Sequence, residues 1–587
     1  MKRRIFDLVK DNVSNNTRSK HRNLLPPLET VKINYVTASQ TRNYMLNDCL
    51  VDYLKYSKPS LLSYRQNPFT SLLFAKGNEF EEKIVEYIHR NISPIQKVSN
   101  SINSYSIDQV KKHLSIGTPI IHSVPFQNNK NHTKGVMDLL VRSDYLNSLT
   151  STKYLTPEEE KTKAPLLNGD YHYVVVDIKF STLQLKADGI HLLNSDNYPF
   201  YKVQLCIYND ALQELQGYTP DYAFLLGRRF TFTSKNETFS SLNALEKLGK
   251  VDFSKADAEF IHMTKDAIKW VRELNSLGET WSISPPSREE LFPNMCVDSG
   301  EWNSVKEEIA HSMGEITSIW FCGTKERKNA LINNINNWRD ERCTSVTLGV
   351  KGPKAPIIDA MLNINRQEID LVCPKKIVSN LFNWKEKHDE VYVDFETTMD
   401  IFADMNELPL QKKSEYIFMI GVYYTNPNTK EQEYKSFISQ SLTKNGEFCI
   451  MQEFVEFLKK LKMPRCWFWS AEYNIWSRAI QRHFDIYRPI EMYDLSSLFR
   501  TEPIVIKGCF NFKLKNIVSA MNKNGLINTR LRSECTDGLT AAAKAYNAYN
   551  TYQNPDSSPP IRDVEIYNRF DVEALYDILT YLRNNHI

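Results

Sequence analysis

Tyr173-Val174-Val175-Val176-Asp177-Ile178-Lys179-Phe180 is rich in β-branched and aromatic residues, and that composition predicts a strand. Strand alternation puts Val174, Val176, Ile178 and Phe180 on one side and Asp177 with Lys179 on the other. A carboxylate and an ammonium on a mostly buried strand are costly unless they are used. Upstream, Gly135-Val136-Met137-Asp138-Leu139-Leu140-Val141 reads as a second strand with one acid inside an apolar run. Earlier still, residues 77–88 read as a helix, and spacing chooses among its acids. Ile84, Val85 and Ile88 stand three, four and seven positions after Glu81, which predicts an inward Glu81, whereas Glu79 and Glu82 face outward. Downstream, Gln204 and Tyr208 are four apart on one predicted helix face.

This set suits phosphodiester hydrolysis. A hard cation held by carboxylates polarises a phosphoryl oxygen and acidifies water, and a lysine offsets developing charge. Glu81, Asp138 and Asp177 are the expected metal ligands, with the Ile178 carbonyl as a further one. Lys179 is the expected catalytic cation, and Gln204 and Tyr208 are expected to contact the nucleic-acid backbone or brace it. Lys179→Ala is expected to abolish most cleavage and leave folding intact.

The order Glu81, Gly135-x-x-Asp138, Asp177-x-Lys179 and Gln204-x-x-x-Tyr208 resembles PD-(D/E)xK nucleases of the RecB-like and Cas4-like type over roughly residues 40–230. The resemblance implies a restriction-endonuclease-like core and Mg²⁺ or Mn²⁺ as cofactor. Cas4-like members carry an iron–sulfur cluster on one early and three later cysteines. Cys49 stands at the early place, but no later cysteine trio follows, so no cluster is expected and Cys49 reads as a buried small hydrophobe.

A second constellation begins at Glu390-Val391-Tyr392-Val393-Asp394-Phe395-Glu396-Thr397-Thr398, again a strand, with Asp394 and Glu396 on one face. Two adjacent acids repel unless a cation lies between them. The chain ends in an amphipathic helix with Ile566, Phe570, Ile578 and Leu582 as its apolar stripe and Tyr567 and Asp571 on a neighbouring face. Between them, Glu472 has Ile475, Trp476 and Ala479 at inward helical offsets, and Asp494 competes with it. The layout resembles an RNase H-like 3′→5′ exonuclease domain of the DEDD class over about residues 388–587. The resemblance assigns Asp394, Glu396 and Asp571 to metal, Glu472 to the middle acid, and Tyr567 to positioning the attacking water. A RecB-like nuclease joined to an RNase H-like domain resembles a known group of two-domain nucleases.

Composition sets the frame. The 587 residues are 42% hydrophobic, 24% charged and 12% aromatic, values of a folded soluble protein, with two to four domains at about 150 residues each; the elements along the chain make the expected class α/β multidomain. The expected division is a basic tail (1–30), a PD-(D/E)xK domain (31–285), a helix-rich connecting region (286–387) and an RNase H-like domain (388–587). The net charge of +3 is concentrated at the start, where residues 1–22 hold seven Lys/Arg against two Asp/Glu. No run of ~18 apolar residues suggests a membrane span, and no secretory leader is visible. Ten scattered cysteines without a C-x-x-C pair suit a reducing compartment such as cytoplasm, nucleus or a viral factory. Arg228-Arg229 reads as a solvated edge, and Trp467 and Trp469 as core.

The resulting expectation is a metal-dependent DNA nuclease, exonuclease before endonuclease, acting first through the N-terminal site. Single- or double-stranded DNA is the expected partner, RNA a further one, and a helicase or other repair or defence protein a third. The alternatives are a nuclease with one working site and an inactive nucleic-acid-binding scaffold.

Overall fold

The computed structural model describes residues 34–61, 68–412, 415–483 and 490–587. The basic tail lies outside the described residues. The chain divides into two compact units. The first takes Ile88–Ser240 and Leu245–Pro293 with the described part of Met1–Leu61; the second takes Leu62–Tyr87, Ser241–Ala244 and Asn294–Ile587.

The first unit is built on an eight-stranded sheet. Its centre is β1 (Ile120–Asn128), β2 (Thr133–Arg142), β3 (Tyr173–Gln184) and β4 (Tyr222–Ser234). β1–β2 and β2–β3 pair antiparallel and β3–β4 parallel. The parallel step requires a crossover. Pro199 opens the helix that makes it (Tyr198–Gln216), and Gly217 at φ 74° closes it. Residues 173–178 of β3 are all buried, so this central strand is enclosed on both faces rather than alternating. Asp177 is therefore fully enclosed, at 0% exposure.

The second unit carries a five-stranded sheet of β5 (Glu390–Thr397), β6 (Ile417–Thr425), β7 (Gln432–Ile438), β8 (Arg465–Phe468) and β9 (Met492–Asp494), in the order β7-β6-β5-β8-β9. β5–β6 and β6–β7 are antiparallel, and β5–β8 and β8–β9 parallel. One face of β5, with Val391, Val393 and Phe395, packs on Ile450, Met451 and Phe454 of the helix Lys444–Lys460 and on Trp476 of the helix Glu472–Arg482. On the other face Tyr392 and Trp467 join Leu575, Ile578, Leu579 and Leu582 of the last helix, Pro559–Asn585. The helix Ala355–Arg366 adds Ile358, Met361 and Leu362 to this same core. Trp467 is fully buried, as its run of aromatics predicts, and its indole N–H donates to Glu390 Oε2 at 3.1 Å.

Two expectations are corrected. Ile566 is 45% exposed and does not belong to the buried stripe of the last helix. The buried face runs instead through Val564, Tyr567, Phe570, Asp571, Ala574, Leu575, Ile578 and Leu582, so Tyr567 and Asp571 face the protein interior. Phe570, Ile578 and Leu582 of the predicted stripe are buried and Ile566 alone is not, because the helix carries apolar residues on more than one side. Arg228 is buried with its guanidinium 5.3 Å from the Phe180 ring, and Arg229 Nε donates to Thr182 Oγ1 at 2.7 Å, so the pair is not a solvated edge.

Candidate active site

Asp394 and Glu396 share the face of β5 that meets the last helix. Asp394 lies opposite Gly421 on β6. That glycine is required, because a Cβ there would stand 1.5 Å from Asn568 Oδ1. In the space it leaves, Asn568 Nδ2 donates to Asp394 Oδ2 at 2.7 Å and to the Asp394 carbonyl at 3.2 Å. Tyr434 donates its hydroxyl to Asn568 Oδ1 at 3.1 Å. Asp571, one helical turn from Tyr567, completes the cluster. Ligand oxygens of Asp394, Glu396 and Asp571 all lie within 4.8 Å of one another, and among the described residues no other group of three could hold a metal ion.

Glu396 and Asp571 are 5% and 6% exposed, and Glu396 Oε1 and Asp571 Oδ1 have no hydrogen-bond partner among the described residues. Burial drives these carboxyls upward, and repulsion from Asp394 adds to it at Glu396 and Asp571. Asp394 rises to about 6, through burial opposed by Lys515. Glu396 rises well above its ordinary value through burial, Asp394 and Asp571. Asp571 rises through burial and Asp394, opposed by Lys515. Glu472 is buried, hydrogen-bonds Asp394, and rises through burial and Asp394. Asp494 is occupied elsewhere: it accepts from the backbone N–H of Ser470 and Ser496, both at 2.9 Å, and from Ser497 Oγ at 2.7 Å. Orphaned, mutually repelling buried oxygens fit a hard divalent cation, which would satisfy them and neutralise their charge together.

Residues 401–583 match the family model of the RNase_H superfamily. This part of the chain is RNase H-like. No curated protein matches the chain. The match begins just after β5, so Glu472, Tyr567 and Asp571 lie within it, whereas Asp394 and Glu396 stand immediately ahead of it. The RNase H-like site also contains Lys515, which carried no motif in the sequence. Its ammonium donates to Tyr567 Oη at 2.7 Å and to the Thr536 carbonyl at 2.5 Å. Tyr567 in turn hydrogen-bonds Asp571. Burial pulls the Lys515 ammonium down while Asp571 and Asp537 oppose it, and burial with Asp571 pushes the Tyr567 phenol up. Of the positions three, four and seven after Lys515, Val518 alone is apolar, beside Ser519 and Asn522, so the spacing that singled out Glu81 does not mark Lys515.

The raised carboxyls set a pH prediction. A carboxyl whose folded pKa lies above its unfolded value favours folding at low pH. That stability is full below the unfolded value near 4 and is lost as pH rises through the folded value. For Asp394, a rise to about 6 is worth about 3 kcal/mol. In chelator the RNase H-like part should melt lower at pH 8 than at pH 5, and Mn²⁺ should raise its Tm more at pH 8 than at pH 5. Scanning calorimetry at the two pH values checks both signs.

In the first unit, β2, β3 and the helix Tyr198–Gln216 bring six of the predicted residues together. Ile178 N–H donates to Asp138 Oδ2 at 2.7 Å. Lys179 Nζ is 2.5 Å from Asp177 Oδ2, and among the described residues no other donor reaches either Asp177 oxygen. Gln204 Nε2 donates to Tyr208 Oη at 2.9 Å, leaving the buried Gln204 Oε1 without a partner. Gly135 makes room for the phenol, since a Cβ there would lie 2.9 Å from Phe126 and 3.2 Å from Tyr208. Burial works against the Lys179 ammonium, but Asp177 and Asp138 outweigh it and hold the lysine above its ordinary value. Tyr208 is raised by burial and by Asp177. Glu81 belongs to the second unit. Cys49 is buried, and burial pushes its thiol well up.

The expectation that Lys179→Ala folds normally is revised by this geometry. The substitution strands the Asp177 carboxylate, 1% exposed, without a counter-charge. The variant should lose about 3 kcal/mol, and Asp177→Asn/Lys179→Met should lose much less. Urea denaturation of the variants against the wild type measures this.

Proposed function

We propose that the chain is a divalent-metal-dependent nuclease that hydrolyses phosphodiester bonds at its C-terminal RNase H-like site. The observation that carries this reading is the group of half-buried Asp394 with buried Glu396 and Asp571 and their orphaned oxygens. Asp394, Glu396 and Asp571 would hold Mg²⁺ or Mn²⁺, which would neutralise their charge and supply Lewis acidity toward a phosphoryl oxygen. Asn568 fixes the orientation of Asp394 through its amide. Lys515 donates into Tyr567 Oη, which commits the phenol hydrogen to Asp571 and leaves one phenol lone pair to orient a water. Glu472 stands in the place of the middle acid. DNA is the proposed substrate, cut from a chain end.

Lys515→Ala should lower kcat about 30-fold with little change in KM, because the lysine orients Tyr567 rather than binding substrate. Lys515→Arg should recover part of the loss. Steady-state kinetics on a 5′-labelled oligonucleotide separates the two parameters.

A second reading is favoured by the Asp138, Asp177, Lys179 and Tyr208 cluster: a second hydrolytic site of the PD-(D/E)xK kind in the first unit. The supporting observations are the two acids on neighbouring strands, the lysine two residues after Asp177, and the parallel β3–helix–β4 crossover that presents Gln204 and Tyr208. Asp177→Asn and Asp394→Asn, assayed on end-labelled and circular single-stranded DNA, decide between the sites. Loss of end-dependent degradation in Asp394→Asn alone supports the first reading, and loss in Asp177→Asn alone supports the second. All ten cysteines are free, which supports a reducing compartment.

A further inference from the structure

A cavity of about 380 Å³ opens at the start of β5. Four lysines from three separate segments line it: Lys387 from the turn before β5, Lys430 from the β6–β7 turn, Lys460 at the end of the helix Lys444–Lys460, and Lys462 from the turn after it. All four are exposed. No hydrogen bond or ion pair is made by their ammonium groups among the described residues. Their neighbours are satisfied: Lys459 pairs with Glu456, and Lys385 donates to the carbonyls of Ile377 and Val378.

The acids at the cavity do not balance this charge. Glu390 is committed to Arg583, with oxygen–nitrogen distances of 2.5 and 3.0 Å, and also accepts from Tyr392 Oη and Trp467 Nε1. Asp389 alone remains against four ammonium groups. A helix C-terminus accounts for a lysine at 460, but Lys387 and Lys430 belong to other segments. Like charges around one cavity repel unless an anion lies among them.

We infer that this lysine-ringed cavity binds the phosphate groups of a nucleotide or nucleic-acid strand, at a place separate from the acid cluster. Ammonium groups on flexible stems are point-charge partners for phosphate. The inference does not depend on the hydrolytic reading, because it concerns binding without chemistry.

The test uses the full chain in EDTA and a variant carrying Lys387→Gln, Lys430→Asn, Lys460→Gln and Lys462→Asn. Asparagine is chosen at 430 and 462 because both positions have left-handed backbone, φ 63° and 64°. All four side chains are exposed, so the variant should fold, and its circular dichroism and Tm verify that. The probes are a fluorescein-labelled single-stranded oligonucleotide, followed by anisotropy across a salt series, and inorganic tripolyphosphate, followed by calorimetry. The expected result is oligonucleotide binding at least about tenfold weaker, with a log Kd–log salt slope shallower by about three. Loss confined to tripolyphosphate identifies a free phosphate compound as the ligand and also supports the site. Equal affinities and equal salt slopes for wild type and variant with both probes would overturn it.

Discussion

Asp394→Asn should melt higher than the wild type in chelator at pH 8 and yet hydrolyse DNA with Mn²⁺ about a thousandfold more slowly. The two signs have one cause. Asp394 is half-buried beside Glu396, Glu472 and Asp571, and its carboxyl is pushed up to about 6. Holding it ionised at pH 8 works against folding by about 3 kcal/mol. Asparagine removes the charge, and its side-chain carbonyl still accepts from Asn568 Nδ2. The repulsion is relieved and the packing kept. The activity falls because a cation ligand and its charge are gone from the place where phosphoryl charge develops. Calorimetry with and without Mn²⁺, beside a hydrolysis assay, reads both. A variant that melts lower in chelator and keeps its activity would show that Asp394 is a structural acid.

Gly421→Ala should cost about 4 kcal/mol, and most of that should vanish when Asn568 is also alanine. The new methyl would lie 1.5 Å from Asn568 Oδ1 and 2.7 Å from its Cγ. Asn568 would have to leave, giving up its bonds to Asp394 and Tyr434. Overpacking a core contributes about 1–3 kcal/mol and each lost buried hydrogen bond about 1 kcal/mol. In an Asn568→Ala background the site is already open, and the glycine substitution should cost under about 1 kcal/mol. Urea denaturation of the four proteins gives the coupling energy directly. Additive costs would mean that Gly421 is required for something other than Asn568.

Alternation along a strand was enough to place Asp394 with Glu396 and Asp177 with Lys179, because a two-residue period has only two faces. The last helix was harder. Val564, Ile566, Tyr567, Phe570 and Val572 are apolar on several sides, so spacing permitted two registers and only packing against β5 and β6 selects the one with Ile566 outside. Lys515 and Asn568 were invisible for another reason. Their roles come from partners far along the chain, 52 residues away for Lys515 with Tyr567 and 174 for Asn568 with Asp394. Nothing local marks such pairs. Glu472 and Asp494 could not be ranked from sequence either; the hydrogen bonds that Asp494 makes to Ser470, Ser496 and Ser497 decide it. The helix Ala355–Arg366 shows that a segment without a motif can still supply core, since Ile358, Met361 and Leu362 are fully or almost fully buried. No helix among the described residues is long and apolar enough to cross a membrane.

The central claim is that Asp394, Glu396 and Asp571 hold the cation that hydrolysis requires. Anomalous diffraction from crystals soaked in Mn²⁺ tests it most directly. The account predicts a manganese peak bonded to oxygens of all three carboxylates, absent from Asp394→Asn crystals soaked identically. Crystals that show these carboxylates unliganded at saturating Mn²⁺, while the same solution hydrolyses DNA, would contradict it.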